Sequence, residues 1–241
     1  MNLAIAQQKG GTGKTTTTIN VGGALAELGD DVLLVDSDPQ GYLTMGVGLD
    51  DQYTEASPTL ADALWSPDEH SIAELTDTTH PEFDVVPAAM DMFTLEQDLV
   101  SAMRGRERMQ MLLGEHTGHD WVLIDCPPSL GLLTDNALLA AGNVLVPAEA
   151  QDTSIRALEL LLKQITTLEE RFDRRITERG IVVSNVTYPL DAEQEDMLGW
   201  FDDRFGDRIP VHEVRNRVAI KRAFNQGRSI FGTDEDCDQE E

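Results

Sequence analysis

The chain has 241 residues, and its 44 acidic and 18 basic side chains give a formal net charge of −26. This length suits one large α/β domain with a sizeable core. The sequence contains no run of about 18 apolar residues, which excludes a transmembrane helix. No basic leader precedes the opening MNLAIA, so we expect no secretion signal, and we predict a cytoplasmic protein. The two cysteines, Cys126 and Cys237, provide neither a disulfide framework nor a metal-ligand pair.

The acidic bias makes the few lysines informative. An acidic, lysine-poor composition is typical of proteins from salt-loving organisms, in which high net charge keeps a chain in solution, although it also fits a generic acidic protein. We interpret the chain as halophilic. It has four lysines, and two of them, Lys9 and Lys14, lie in one segment, QQKGGTGKTT at 7–16. Under this bias we expect a retained lysine to have a function.

Apolar runs alternate with helical patterns along the chain, which predicts a mostly parallel, twisted sheet with helices on both faces in a single α/β domain over 1–232. The predicted strands are 2–7, 31–36, 83–88, 120–128, 143–148, 180–186 and 208–211. The predicted helices are 14–28, 59–65, 69–76, 92–103, 105–115, 131–141, 153–171, 191–204 and 216–226. Residues 41–58 are predicted to form a loop, and the tail 233–241, with six acids in nine residues, to be disordered.

The segment 8–16 has the composition of a phosphate-binding loop. Its three glycines allow the backbone to turn N–H groups toward phosphate oxygens, and the following helix adds its positive N-terminal end. Lys14 is placed to reach the β- and γ-phosphates of a nucleotide, and the Thr15 hydroxyl to bind Mg²⁺. The loop departs from the usual pattern, because Gln8 replaces its first glycine and Lys9 adds a second lysine.

Three aspartates follow predicted strands. Asp36 and Asp38 lie at the end of the second strand, and Asp125 lies near the end of the strand predicted at 120–128. The carboxyl ends of parallel strands meet at one edge of a sheet, so these carboxylates should lie beside the phosphate-binding loop. Such a site needs carboxylates to hold Mg²⁺ or its waters and to orient an attacking water. We therefore predict that Thr15, Asp36, Asp38 and Asp125 surround the metal, and that Cys126 is a small buried strand residue.

Four segments together resemble the ParA/MinD ATPases, the branch of P-loop proteins with a deviant Walker A motif. These segments are KGGTGKTT, VLLVDSDPQG, DWVLIDCPPSLGLLTDNAL and RALELLLKQI. Their order and spacing also match, and the resemblance covers about residues 1–230. The second and third segments are closer in amino-acid sequence to ParA/Soj than to MinD.

The resemblance implies a role for each lysine. Lys14 would serve the nucleotide of its own subunit, while Lys9 would reach the phosphates of a partner in an ATP-bound homodimer. Asp38 would position the attacking water, and Asp125 would be the Walker B carboxylate. The implied catalytic residues are therefore Lys9, Lys14, Asp38 and Asp125. After Pro147 the sequence departs from the family pattern, so the resemblance assigns no contact to that loop. The implied ATP contacts are Lys9, Gly10, Gly11, Thr12, Gly13, Lys14, Thr15 and Thr16 in the loop, with Asn185 and Pro210 at the adenine.

Three functions within this family remain open from the sequence. The favoured one is a DNA-binding partition switch, because residues 204–228 hold seven bases against two acids, a composition suited to sequence-independent contacts with phosphates. The candidates for DNA contact are Arg215, Arg217, Lys221 and Arg222. Such a protein would be nucleoid-associated and would respond to a ParB-like or other activating partner.

The two alternatives fit the sequence less well. A MinD-like ATPase would act in positioning at a membrane or a protein assembly and would not bind DNA. That type needs a basic amphipathic C-terminal helix, whereas this sequence ends in the acidic segment SIFGTDEDCDQEE, which an anionic membrane would repel. An iron–sulfur carrier would need a closely spaced cysteine pair, which this sequence lacks.

Overall fold

A computed structural model describes residues 1–114 and 118–233 of the chain. The strands are β1 (Asn2–Ile5), β2 (Val32–Asp36), β3 (Asp84–Val86), β4 (Trp121–Asp125), β5 (Asn143–Glu149), β6 (Thr177–Val186) and β7 (Val211–Arg215). The helices are α1 (Lys14–Glu27), α2 (Tyr42–Gly46), α3 (Asp50–Glu55), α4 (Leu60–Trp65), α5 (Ile72–Leu75), α6 (Met92–Leu99), α7 (Arg108–Leu113), α8 (Leu132–Ala141), α9 (Asp152–Phe172), α10 (Ala192–Phe205) and α11 (Val218–Asn225).

The seven strands form one sheet in the order β3-β2-β4-β1-β5-β6-β7, and each neighbouring pair is parallel. Alternate side chains of β2 point to opposite faces. Leu33 and Val35 belong to one buried cluster, while Val32 and Leu34 belong to another, which also holds Ile19 of α1. The sheet is therefore covered on both faces, as predicted, and strands β1, β2 and β4 end side by side at one edge.

Two of the predicted elements were wrong. The segment 41–58, predicted as a loop, contains α2 and α3, two helices of five and six residues that are too short to show a clear period. The strand predicted at 208–211 begins only at Val211 and runs to Arg215. Its sequence, VHEVR, is partly polar because β7 lies at the edge of the sheet. The strand therefore has no continuous apolar run from which its bounds could be predicted.

The predicted disordered tail lies, from residue 234 onward, outside the described residues, and so does Cys237. In the described part of the chain, every helix is too short or too polar to cross a membrane.

Candidate active site

The loop between β1 and α1 has the geometry of a phosphate-binding turn. Gly11 and Gly13 have φ angles of +78° and +83°, a left-handed conformation that glycine adopts without strain. Gly13 precedes the first residue of α1, so the N-terminal N–H groups of that helix face the loop. The Ser184 hydroxyl of β6 donates to the Thr12 carbonyl oxygen at 2.9 Å and fixes the loop against the sheet.

The predicted carboxylates meet at this loop. Asp36 and Asp125 are paired residues at the ends of β2 and β4, and both are buried. The Thr15 hydroxyl donates to Asp125 Oδ2 at 2.6 Å. Asp38 is also buried, and its backbone N–H donates to Asp36 Oδ1 at 3.2 Å. The structure thus brings Thr15 and the three aspartates together, as the strand ends predicted.

Thr44 of α2 is a member of the site that sequence reasoning missed. Its backbone N–H and its hydroxyl both donate to Asp36 Oδ2, at 2.8 and 2.7 Å. The same hydroxyl accepts a bond from the N–H of Ala88 at 2.9 Å. A short helix inside the segment 41–58, which was predicted to be a loop, therefore orients a carboxylate of the site.

Burial and mutual repulsion set the ionisation of these groups. Burial, with a smaller contribution from Asp36, raises the pKa of Asp125 to about 8. Burial raises the pKa of Asp36 to about 7, against the opposing effect of its bonds from Thr44. Burial also raises the pKa of Asp38 and lowers the pKa of Lys14, with Asp125 opposing the shift at the lysine. The site therefore concentrates acidic groups whose negative charge a cation would stabilise.

The residues present fit Mg²⁺ bound together with a nucleotide. In the described residues, no group of three His, Cys, Asp or Glu side chains is arranged to hold a metal without other ligands. Mg²⁺ commonly takes only one or two protein ligands and completes its shell with phosphate oxygens and water. The hard oxygens of Thr15 and Asp125 would supply the protein ligands, and the bound ion would neutralise charge on the phosphates.

The two lysines of the loop point to different surroundings. Lys14 is buried, and the charges of Asp125 and Asp38 act on it. The Nζ of Lys9 instead donates to Glu149 Oε2 at 2.7 Å and to Gln151 Oε1 at 2.9 Å. The loop after Pro147, to which the sequence assigned no contacts, thus holds the second lysine.

A cavity of 620 Å³ opens beside the loop, between α1 and the ends of β6 and β7. Asn185, predicted to contact adenine, lines it. Pro210 lies just ahead of β7, and its carbonyl oxygen accepts a bond from the Ile181 N–H at 2.8 Å. In this segment the cavity is lined by the described residues 212–215, which follow Pro210. The cavity also has a wall that the sequence did not predict, because Ile230 and Phe231 fold back over α1.

The four predicted DNA-contact residues occupy two places. Arg215, on β7, lines the cavity, with its guanidinium 4.4 Å from the centre of the Tyr188 ring. Arg217 immediately precedes α11, and Lys221 and Arg222 are exposed on that helix. Cys126 is buried beside Asp125, and burial raises the pKa of its thiol far above the ordinary value, as expected for a structural cysteine.

A glycine-rich turn at a helix N-terminus, an inward lysine, a threonine hydroxyl and carboxylates at adjacent strand ends define a P-loop nucleoside triphosphatase. The comparisons with known proteins agree with this class. The family model described as an AAA domain matches residues 1–178.

Relatives extend the match over nearly the whole chain. The sporulation initiation inhibitor protein Soj of Bacillus subtilis is 36% identical over 233 residues, which cover 95% of this chain and 89% of the relative. The chromosome partitioning protein ParA of Caulobacter vibrioides is 34% identical over 241 aligned positions, covering 98% and 88%. The chain therefore belongs to the ParA/Soj family of P-loop ATPases.

Solved structures agree in fold. A single-substitution variant of McdA of Cyanothece, in complex with ATP, superposes with a TM-score of 0.84 at 23% identity, covering 95% of this chain and 88% of McdA. Cobyrinic acid a,c-diamide synthase from Mycobacterium smegmatis, with a bound ATP analog and magnesium, has a TM-score of 0.77 at 32% identity and covers 85% and 82%. The predicted family, fold class and ATPase activity are confirmed, and the predicted cofactors, ATP and Mg²⁺, agree with the ATP analog and magnesium bound to the diamide synthase.

Proposed function

We propose that this chain is an ATP-dependent switch that dimerises on binding ATP and Mg²⁺, binds DNA without sequence preference as a dimer, and is released when hydrolysis occurs. An activating partner protein of ParB type would stimulate hydrolysis, and the cargo would be a chromosome, a plasmid or a protein assembly. In this role the protein acts at the nucleoid. Residues 1–232 form the ATPase domain.

One observation carries the proposal: the side chains of the two lysines have different surroundings and different partners. Lys14 is buried among the carboxylates, where it can contact the phosphates of its own nucleotide. The Lys9 side chain is 24% exposed and forms an ion pair with Glu149. A second cation placed for a neighbouring subunit would stabilise charge on the transferring phosphoryl group, as an arginine finger does. This use of Lys9 requires a face-to-face dimer.

The remaining side chains divide the chemistry among them. Asp38 is close enough to the loop for its charge to act on Lys14, which suits a carboxylate that orients the attacking water. Thr15 and Asp125 would hold Mg²⁺, and Asp36 and Asp38 would lie around the ion. Asp36 is also fixed by Thr44 and supports the loop that carries Asp38. Positioning and charge stabilisation account for most catalysis of phosphoryl transfer, so rigid placement of these groups is the main requirement.

Helix α11 and the preceding Arg217 are the proposed DNA-binding surface, and α11 contacts the segment that orients Asp36. A Cβ atom at Gly46 of α2 would lie 2.6 Å from the Phe224 ring, which shows how closely α11 and α2 approach. Gly46 is two residues from Thr44, and Lys221 and Arg222 are exposed on the same helix as Phe224. Occupancy of the nucleotide site and the position of the basic helix can therefore influence each other through α2.

The cross-subunit role of Lys9 is tested by light scattering with ATP and Mg²⁺. The Asp38→Ala background is used because slow hydrolysis should retain the dimer. We expect Lys9→Ala in this background to bind ATP with little loss, since Lys14 remains, but to lower the dimer population. An unchanged dimer population would contradict the role proposed for Lys9.

DNA binding is tested by a mobility assay with duplex DNA and ATP across a salt series. Replacing Arg217 and Arg222 with Glu should weaken binding and flatten the salt dependence, because each lost phosphate contact removes about 0.9 from the slope of log affinity against log salt. The matched control replaces Arg156 and Arg174, two exposed arginines outside α11, with Glu. If the unmodified ATP-bound protein binds no DNA in the series, a MinD-like positioning role becomes the better account.

A further inference from the structure

Lys9 is held on its own subunit by two side chains from one loop. Its ammonium group donates to the Glu149 carboxylate at 2.7 Å and to the Gln151 amide oxygen at 2.9 Å. The Lys9 and Glu149 side chains are only 24% and 17% exposed, so water screens this ion pair less than a pair in full solvent. Both acceptors lie at the junction of β5 and α9, where the sheet meets the rim of the site.

The carboxylate that holds Lys9 is itself fixed from the other side. Glu149 Oε1 accepts a bond from Asn185 Nδ2 at 3.2 Å. Asn185 has a φ angle of +60°, a left-handed conformation that asparagine tolerates better than most residues, and it lies near the end of β6. Glu149 therefore offers Lys9 an oriented acceptor that is anchored to the sheet.

This contact competes with the role proposed for Lys9. A lysine bonded to Glu149 and Gln151 cannot at the same time place its ammonium group on the phosphates of a second subunit. We propose that Glu149 and Gln151 form a latch that retains Lys9 on its own chain and thereby opposes ATP-dependent dimerisation. This inference rests on the proposed cross-subunit function of Lys9.

The first experiment measures the contact itself. Limited acetylation of the full chain without nucleotide, followed by mass spectrometry, gives a rate for each lysine, with the exposed Lys163 and Lys221 as internal references. Glu149→Gln keeps the shape of the side chain and removes its charge. We expect Lys9 to react roughly 5- to 30-fold faster in this variant, because a hydrogen bond to a charged acceptor contributes about 1–2 kcal/mol more than a bond to the neutral amide oxygen that replaces it. An unchanged Lys9 rate would overturn the latch.

The second experiment measures dimerisation by light scattering with ATP and Mg²⁺ in the Asp38→Ala background. Glu149→Gln should lower the protein concentration needed for half dimerisation by several-fold. The matched control is Glu159→Gln, which removes the same charge from an exposed position on α9 and leaves the loop intact. Equal effects of the two variants would mean that reduced charge repulsion, and not release of Lys9, strengthens the dimer, and the latch would be wrong.

The remaining outcomes separate the latch from the proposed function. If Glu149→Gln frees Lys9 but weakens the dimer, Glu149 serves the dimer interface, and the latch is wrong while the role of Lys9 stands. If Lys9→Ala leaves dimerisation unchanged, the cross-subunit function fails, whatever the acetylation rates show. The latch is supported when Lys9 reacts faster, the dimer is tighter than in the control, and Lys9→Ala weakens it.

Discussion

The bond between Thr44 and Asp36 provides a quantitative test of how the site is built. Replacing Thr44 with Val preserves the side-chain volume but removes the hydroxyl that donates to Asp36 Oδ2 and accepts from the Ala88 N–H. All three residues are fully buried, so water cannot take the place of the hydroxyl. Loss of a bond to a carboxylate costs about 1.5–3 kcal/mol, and an unpaired buried N–H costs about 1–3 kcal/mol.

These two effects share one side chain, so we expect a combined loss of about 2–5 kcal/mol of unfolding free energy. In a domain of this size each kcal/mol shifts Tm by about 2–4 °C, which predicts a fall of roughly 4–20 °C in a thermal melt of the nucleotide-free protein. The control is Thr166→Val, which removes an exposed hydroxyl on α9 that donates to the Leu162 carbonyl. If both variants melt within about 2 °C of each other, the Asp36 network does not stabilise the fold as argued.

Three further substitutions test separate parts of the structure. Lys14→Ala should lower ATP affinity at least about 100-fold in calorimetric titration, because a buried cation facing the phosphates is lost; undiminished affinity would refute the assignment of the loop. Asp38→Ala should bind ATP but hydrolyse it about 100-fold more slowly in a phosphate-release assay, and normal turnover would move the water-orienting role elsewhere. Gly23→Ala should cost about 1–3 kcal/mol in urea unfolding, because its Cβ would lie 2.0 Å from Ser229 Oγ; an unchanged midpoint would contradict the docking of the C-terminal segment on α1.

Local sequence signals predicted the centre of the site well. The run of apolar residues in β2 and β4, followed directly by Asp36 and Asp125, fixed both the strands and the edge of the sheet where the carboxylates meet. Gly11 and Gly13 marked a turn because only glycine adopts their backbone angles without strain. These features depend on neighbouring residues in the chain, and sequence patterns report such features directly.

Contacts between distant segments could not be predicted in the same way. The bond from Lys9 to Glu149 joins residues that are 140 positions apart, and no motif marks either partner of the Thr44 contact with Ala88. Helix α2 is too short for its period to be recognised, and β7 is partly polar because it lies at the sheet edge. The halophilic origin, the adenine contact of Pro210 and the DNA contacts remain predictions.

A direct mass measurement tests whether ATP converts single chains into a dimer. The Asp38→Ala variant should be examined by multi-angle light scattering with Mg²⁺ and either ATP or ADP, at one protein concentration and one salt concentration. We expect a mass of two chains with ATP and of one chain with ADP, because only ATP presents a γ-phosphate to the partner's Lys9. The same mass with both nucleotides would contradict ATP-dependent dimerisation.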